Sequence, residues 1–312
     1  MPVPTAPSVS LLAELEPEAE RLLERHLSVA DEWFPHDYVP YGSGRDYETD
    51  PWTPDQPRLD GIARTAMYVN LMTEDNLPSY HREAHAMFAH RDSAWTEWVH
   101  RWTAEEGRHA IVLRDYLVVT RNEDPVRLER GRMQAVQTGY DRNDRDPLHG
   151  MAYVSFQELA TRISHRNTGR YSDDPVADRI MARIAADENL HMVFYRDIVS
   201  AALHVDPSAT VRAIADEVIG FAMPGAVIAG FGPASARIAD AGIYDPRNHL
   251  DDVVQPLLRH WQIFDVEGLD STAEERRSDL AAFVDDLELT ARRFTEKREA
   301  RAARRARHTT SA

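Results

Sequence analysis

The chain carries the pair Glu-x-x-His twice, and each copy follows a solitary glutamate by roughly the length of a helical hairpin. Glu106 and His109 form the first pair, in "EEGRH"; Glu188 and His191 form the second, in "DENLH". Glu74 lies 32 residues before Glu106, and Glu158 lies 30 residues before Glu188. Residues three apart on a helix sit about 60° apart around the axis and one turn along it, so each pair shares a face. The sequence therefore reads as a doubled hairpin. Packed as a four-helix bundle, the two hairpins bring six side chains to one interior point.

Four carboxylates buried together without a cation would be prohibitive, and most would have to take up protons. Two divalent ions balance four Glu charges, and two neutral His complete the set. This is the ligand arrangement of ferritin-like di-iron and di-manganese bundles. The chain has no Cys, which excludes disulfides, thiolate metal sites and a cysteine nucleophile. His and carboxylate donors favour iron, manganese or zinc.

A third Glu-x-x-His, Glu97 with His100, lies nine residues before Glu106 and His109. Nine residues turn a helix by about 900°, half a turn out of phase. That pair is expected on the surface or at a subunit contact. Acids precede both motif glutamates, Glu105 and Asp187. They lie about 100° from their neighbours, too far round to be obvious ligands. Metal-bound His commonly passes its second N–H to a carboxylate, so Glu105 is expected to accept from His191 and Asp187 from His109. Pro78, four after Glu74, deprives the Glu74 carbonyl of its helical partner and predicts a kink or opened turn there. Gly107, inside the first motif, costs about 1 kcal/mol relative to Ala. Close approach of another chain there would explain it, and so would neutral drift.

Helical periodicity dominates the rest. Apolar residues repeat at three and four from Leu11 to Asp31. A Pro- and aromatic-rich loop follows. Helices are predicted over about 58–88, 93–120, 125–138, 147–168, 174–203 and 207–221, with two or three more after Gly232. Gly169 is the expected stop for the helix of Glu158. Strand signals are almost missing. The expectation is one all-α domain over residues 1–295, with a metal-binding bundle at about 58–203. Residues 296–312 are read as a basic, disordered tail. The run from Arg292 to Arg307 is a solvated helix end or a patch for an acidic partner. A net charge of −16 argues against broad nucleic-acid binding. The N-terminus shows no secretory pattern, and no apolar run reaches the ~20 residues of a transmembrane segment. A soluble, cytoplasmic protein is expected.

Several segments resemble the soluble acyl-[acyl-carrier-protein] desaturases of plastids and actinobacteria. They are "TEDNLPSY" around Glu74, "RWTAEEGRHA" around Glu106, "YVSFQELATRISHRNTG" around Glu158 and "AADENLHM" around Glu188. "MPG" at 223–225 and "GIYDPRNHLDDVVQPLLRHWQIFDVEGL" extend the resemblance, which covers roughly residues 20–295. The actinobacterial branch is the more similar. The family implies a homodimer with a di-iron centre, O2 as co-substrate and two electrons from reduced ferredoxin. It implies a cis double bond formed in an acyl chain held on acyl carrier protein, in fatty acid biosynthesis. By position, Glu74, Glu106, His109, Glu158, Glu188 and His191 match its iron ligands, and Thr161 its active-site threonine. Trp33 matches a Trp proposed on an electron route through Asp187 and His109.

The chain departs from the family at Gly107 and Leu190, and at Glu83 and His85, where plastid enzymes carry apolar residues that touch the acyl chain. Those two suit a shorter or functionalised acyl group. Met151, seven before Glu158 on its face, is a candidate for lining the chain, as plain core packing is for it too. Arg127, Arg130 and Arg132 are candidates for docking the acidic carrier protein. Two other readings use the same residues: a di-iron hydroxylase of a carrier-bound intermediate, and a non-catalytic acyl-carrier-binding homologue.

Overall fold

The computed structural model describes residues 6–89, 92–140, 145–228 and 230–309. Among the described residues twelve α-helices run in the order α1 (Ala6–Val29), α2 (Gly61–Glu74), α3 (Leu77–Phe88), α4 (Ala94–Val119), α5 (Pro125–Thr138), α6 (Pro147–Tyr171), α7 (Pro175–Val205), α8 (Pro207–Ile219), α9 (Phe231–Asp240), α10 (Pro246–Asn248), α11 (Gln255–His260) and α12 (Ser271–Thr309). A π-helical segment, His249–Val254, joins α10 to α11. Among the described residues there is no strand. Nor is any helix long and apolar enough to cross a membrane. The fold is a ferritin-like helical bundle, as the sequence led us to expect. The helices that carry Glu74, Glu106 with His109, Glu158, and Glu188 with His191 are α2, α4, α6 and α7.

Five helices open on the dipeptide Asp-Pro: Asp124-Pro125, Asp146-Pro147, Asp174-Pro175, Asp206-Pro207 and Asp245-Pro246. In each the Asp carboxylate accepts from backbone N–H groups of the first turn. The proline occupies a position whose N–H has no helical partner anyway. Local chemistry therefore sets where these helices begin, and with that the phase of the faces they bury.

Three helix limits differ from the sequence reading. The stretch predicted as one helix over 58–88 is two, because α2 ends at Glu74 and α3 begins at Leu77. Pro78 sits in the first turn of α3, where its missing N–H costs nothing. Arg132 on α5 fastens the break by donating two hydrogen bonds to Asp75, at 2.5 and 2.9 Å. Gly169 does not stop α6, which continues to Tyr171. It serves packing instead: a Cβ there would stand 2.8 Å from the Cβ of Met181 and 3.2 Å from the Cα of Asp178. Its absence lets α7 lie close against α6. The segment read as a disordered tail from 296 is helical through Thr309. Its Ala, Arg, Lys and Glu residues are strong helix formers, and Arg298 and Arg301 pair with Asp245 and Asp240.

Trp98 of α4 stacks on Phe194 of α7, with ring centres 3.6 Å apart, and meets His191 edge-on. Both aromatic side chains are fully buried. This pair holds α4 and α7 together behind the second motif.

Candidate metal centre

Six ionisable side chains meet inside the bundle, all of them buried. Glu74 comes from the last residue of α2, Glu106 and His109 from α4, Glu158 from α6, and Glu188 and His191 from α7. They form two overlapping groups. Donor atoms of Glu74, Glu106, His109 and Glu188 lie within 4.8 Å of one another, and so do those of Glu106, Glu158, Glu188 and His191. Glu106 and Glu188 belong to both. Such a set could hold two ions, one by each group, each group adding one Glu and one His to the two residues they have in common.

Both imidazoles turn Nδ1 inward. His109 Nδ1 lies 3.2 Å from Glu106 and 3.6 Å from both Glu74 and Glu188. His191 Nδ1 lies 2.8 Å from Glu106 Oε1. That approach lacks the alignment of a hydrogen bond, and both atoms, with Glu158 Oε2, are buried without a hydrogen-bond partner. Orphaned buried donors and acceptors at one point are costly. A cation between them removes that cost, so the residues present fit a pair of metal ions. Without the ions, protons must balance the charge. Burial and the neighbouring Glu106 and Glu158 push the Glu188 carboxyl well up. Burial also opposes ionisation of Glu106, but His109 and His191 outweigh it and hold that carboxyl far below its usual range.

The outward nitrogens face acids. His191 Nε2 is 3.0 Å from Glu105 Oε2, and His109 Nε2 is 3.3 Å from Asp187 Oδ2. Each acid is also met by an arginine four residues before it, Arg101 for Glu105 and Arg183 for Asp187. The echo between the motifs therefore extends to "RWTAEEGRH" and "RIAADENLH". Trp33 Nε1 donates to Asp187 at 2.7 Å and stacks over His109. On the opposite side His26 Nε2 lies 2.9 Å from Glu105. Burial alone would raise the Asp187 carboxyl, but hydrogen bonds from His109 and Trp33 help bring it down to about 2.

Sequence reasoning missed three residues here. His165 Nε2 is 2.9 Å from Glu74 and 3.5 Å from Glu188; its signal was available, since it lies seven residues, two turns, after Glu158. Trp102, four before Glu106, donates to Glu158 at 3.1 Å. His26, on α1, had no spacing signal. Glu97 and His100 are exposed, on the far side of α4. Nothing crowds Gly107: a Cβ there would meet only Leu77, at 3.9 Å.

A cavity opens onto the carboxylate side of the centre. Glu74, Glu106, Glu158 and Glu188 form its floor, and Ala84, Met87, Phe88, Val154 and Tyr195 are among its walls. Thr161 lines it while its hydroxyl donates back to the carbonyls of Gln157 and Glu158, at 3.1 and 3.0 Å. Glu83 lines it and His85 does not. Met151 does not line it either and packs wholly in the core. The cavity follows the α6 flank of Gly150, Val154, Gln157 and Thr161, whereas Met151 lies on the other side of Glu158. Arg127 and Arg132 are engaged on the protein's own acids, Glu123 and Asp75.

Fold and buried site together define a ferritin-like helical protein whose His and Glu groups could hold metal. The chain belongs to the fatty acid desaturase family, whose profile matches residues 8–311. It is 48% identical over 310 residues to DesA1 of Mycobacterium tuberculosis, covering 96% of this chain and 91% of that one. The name of DesA1 gives acyl-[acyl-carrier-protein] desaturase as a provisional assignment. It is 31% identical over 320 residues to acyl-[acyl-carrier-protein] desaturase 7, chloroplastic, of rice, covering 95% and 78%. The X-ray structure of DesA2 from M. tuberculosis superposes with a TM-score of 0.69 at 29% identity, covering 86% of this chain and 99% of that one.

Proposed function

We propose that the chain is an O2-dependent desaturase that inserts a cis double bond into an acyl chain carried on acyl carrier protein, in fatty acid biosynthesis. The observation that carries this reading is the cavity whose floor is the four ligand carboxylates and whose walls are largely apolar. Iron ions held by Glu74, Glu106, His109, Glu158, Glu188 and His191 would supply the activation of O2 that breaking unactivated C–H bonds requires. The overall change removes two hydrogens from adjacent carbons. With O2, two electrons and two protons it yields the alkene and two waters. Reduced ferredoxin is the proposed electron source.

The protein's own groups do the positioning. The cavity walls hold the chain beside the carboxylates and keep bulk water out. Trp102 fixes one oxygen of Glu158. Thr161, with its proton committed to backbone carbonyls, presents hydroxyl lone pairs to the cavity and is the proposed catalytic threonine. Glu105 and Asp187 hold the two imidazoles so that Nδ1 faces inward. The chain is proposed to work as a single domain over residues 1–295, as a homodimer, in the cytoplasm.

The test is mass spectrometry of a panel of acyl-[acyl-carrier-protein] substrates incubated with the iron-loaded protein, reduced ferredoxin and O2. Loss of two hydrogens is expected. A product that gains one oxygen identifies a hydroxylase, and no turnover with any chain overturns both enzyme readings.

A further inference from the structure

Three histidines lie together on the outer face of the α3–α4 pair, away from the buried centre. His81 and His85 are one turn apart on α3, and His100 faces them from α4. Their ring centres are 5.6, 6.2 and 6.0 Å apart, a nearly equilateral triangle. A point equidistant from three such centres lies about 3.4 Å from each (the mean side divided by √3). An imidazole bound through one nitrogen at about 2.0–2.1 Å holds its ring centre about 3.2 Å from a zinc ion. The spacing of the ring centres is therefore close to that of three ligands around one cation, once the rings turn their nitrogens toward it.

The tautomer of one ring is settled by its surroundings. Thr103 Oγ1 lies 2.8 Å from His81 Nδ1 and donates its only proton to the carbonyl of Val99, at 2.7 Å. It must therefore accept from His81, so Nδ1 carries the hydrogen and Nε2 is left with a lone pair. An acceptor on the far nitrogen orients a metal-binding histidine, and here the Thr103 hydroxyl is that acceptor. Burial and the neighbouring His85 and His100 lower the His81 pKa, which favours the neutral ring. The ring planes are 49°, 29° and 22° apart, and the three rings do not bring one nitrogen each to within 4.8 Å of one another. Binding requires His85 and His100 to turn a nitrogen toward His81 Nε2. His85 and His100 are exposed, so that rotation displaces no packed neighbour.

We propose that His81, His85 and His100 form a second metal site, for one divalent cation of borderline softness such as zinc, separate from the buried centre. Imidazole donors without thiolate or carboxylate select that class over calcium or magnesium. The site would tie α3 to α4. The opposite side of α3 supplies Tyr80, Ala84 and Met87 to the cavity wall, so a bound cation would hold that wall in place.

The experiment is a zinc titration of the iron-loaded full chain against a chromogenic zinc indicator, with iron release followed in the same sample. One zinc per chain is expected, with no iron displaced. His85→Ala and His100→Ala should each weaken binding more than ten-fold. Both positions are exposed, so the variants should fold as wild type does. Thr103→Val should weaken it by about ten-fold through loss of the orienting hydroxyl. No zinc uptake by wild type, unchanged uptake in both histidine variants, or release of iron in step with zinc binding each overturns the proposal. Because this readout is metal binding on α3 and α4, it stands or falls separately from the desaturase reaction.

Discussion

Glu105 Oε2 lies 3.0 Å from His191 Nε2, the ring nitrogen opposite the one that faces the buried carboxylates. The same oxygen lies 2.9 Å from His26 Nε2, while Arg101 holds the other oxygen at 2.6 Å. One carboxylate thus fixes the orientation of an imidazole of the candidate centre and is itself held by two cationic or donor groups. Asp187 does the same for His109 with Trp33, Arg183 and Arg108 as its holders.

This pairing predicts a lopsided loss of metal. Glu105→Ala should release His191 and lower metal affinity about ten- to a hundred-fold on the side of Glu158 and His191. Asp187→Ala should do so on the side of Glu74 and His109. Iron titrations should show each variant retaining its undamaged half. Loss of both ions together from either variant would show that the two halves do not bind independently.

The sharing of Glu106 predicts a second contrast. Glu106→Ala removes a ligand common to both groups and should abolish binding of both ions. Glu74→Ala should spare the ion next to His191. Glu97→Ala and His100→Ala, of the same residue types on the same helix, should leave iron per chain near wild type, because both are exposed. Circular dichroism on each variant separates loss of metal from loss of fold. Removing iron from wild type should also lower its melting temperature, since ions that bind only the folded chain stabilise it.

Gly169→Ala should destabilise the protein by about 1–3 kcal/mol through overpacking, read as a lower urea midpoint. The added methyl gains up to about 1 kcal/mol of helix propensity. That gain is outweighed, because the contacts at 2.8 and 3.2 Å involve a Cβ and a backbone Cα that cannot move aside. A variant as stable as wild type would mean that α6 and α7 pack less closely than described.

His149 predicts a pH dependence. Its hydrogen bond to Asp146, against the opposing effect of burial, raises the imidazole to about 9, with Asp216 and Glu217 of α8 adding to the rise. Arg276 of α12 also binds Asp216. A folded pKa above the unfolded value of about 6.5 gives stability that is complete below pH 6.5 and lost as pH rises through 9. The difference in urea midpoint between wild type and His149→Gln should therefore be largest near pH 6 and close by about pH 9.5. A gap that stays constant across that range would remove the charged His149 from the account.

The sequence by itself determined which six side chains are candidates for the centre, and the helical phase of each. Glu74, Glu106, His109, Glu158, Glu188 and His191 were legible because a 3.6-residue period converts spacing into direction on each helix. The half-turn offset of Glu97 and His100 was legible for the same reason. Phase does not say how one helix is rotated against its neighbours. That rotation put the cavity on the Gly150–Thr161 flank of α6 and left Met151 in the core. It also brought His26 from α1 to Glu105 across 79 residues of sequence, and three histidines of α3 and α4 to one surface point. Such meetings depend on packing between distant segments, to which no local pattern is tied, and only the tertiary structure could decide them.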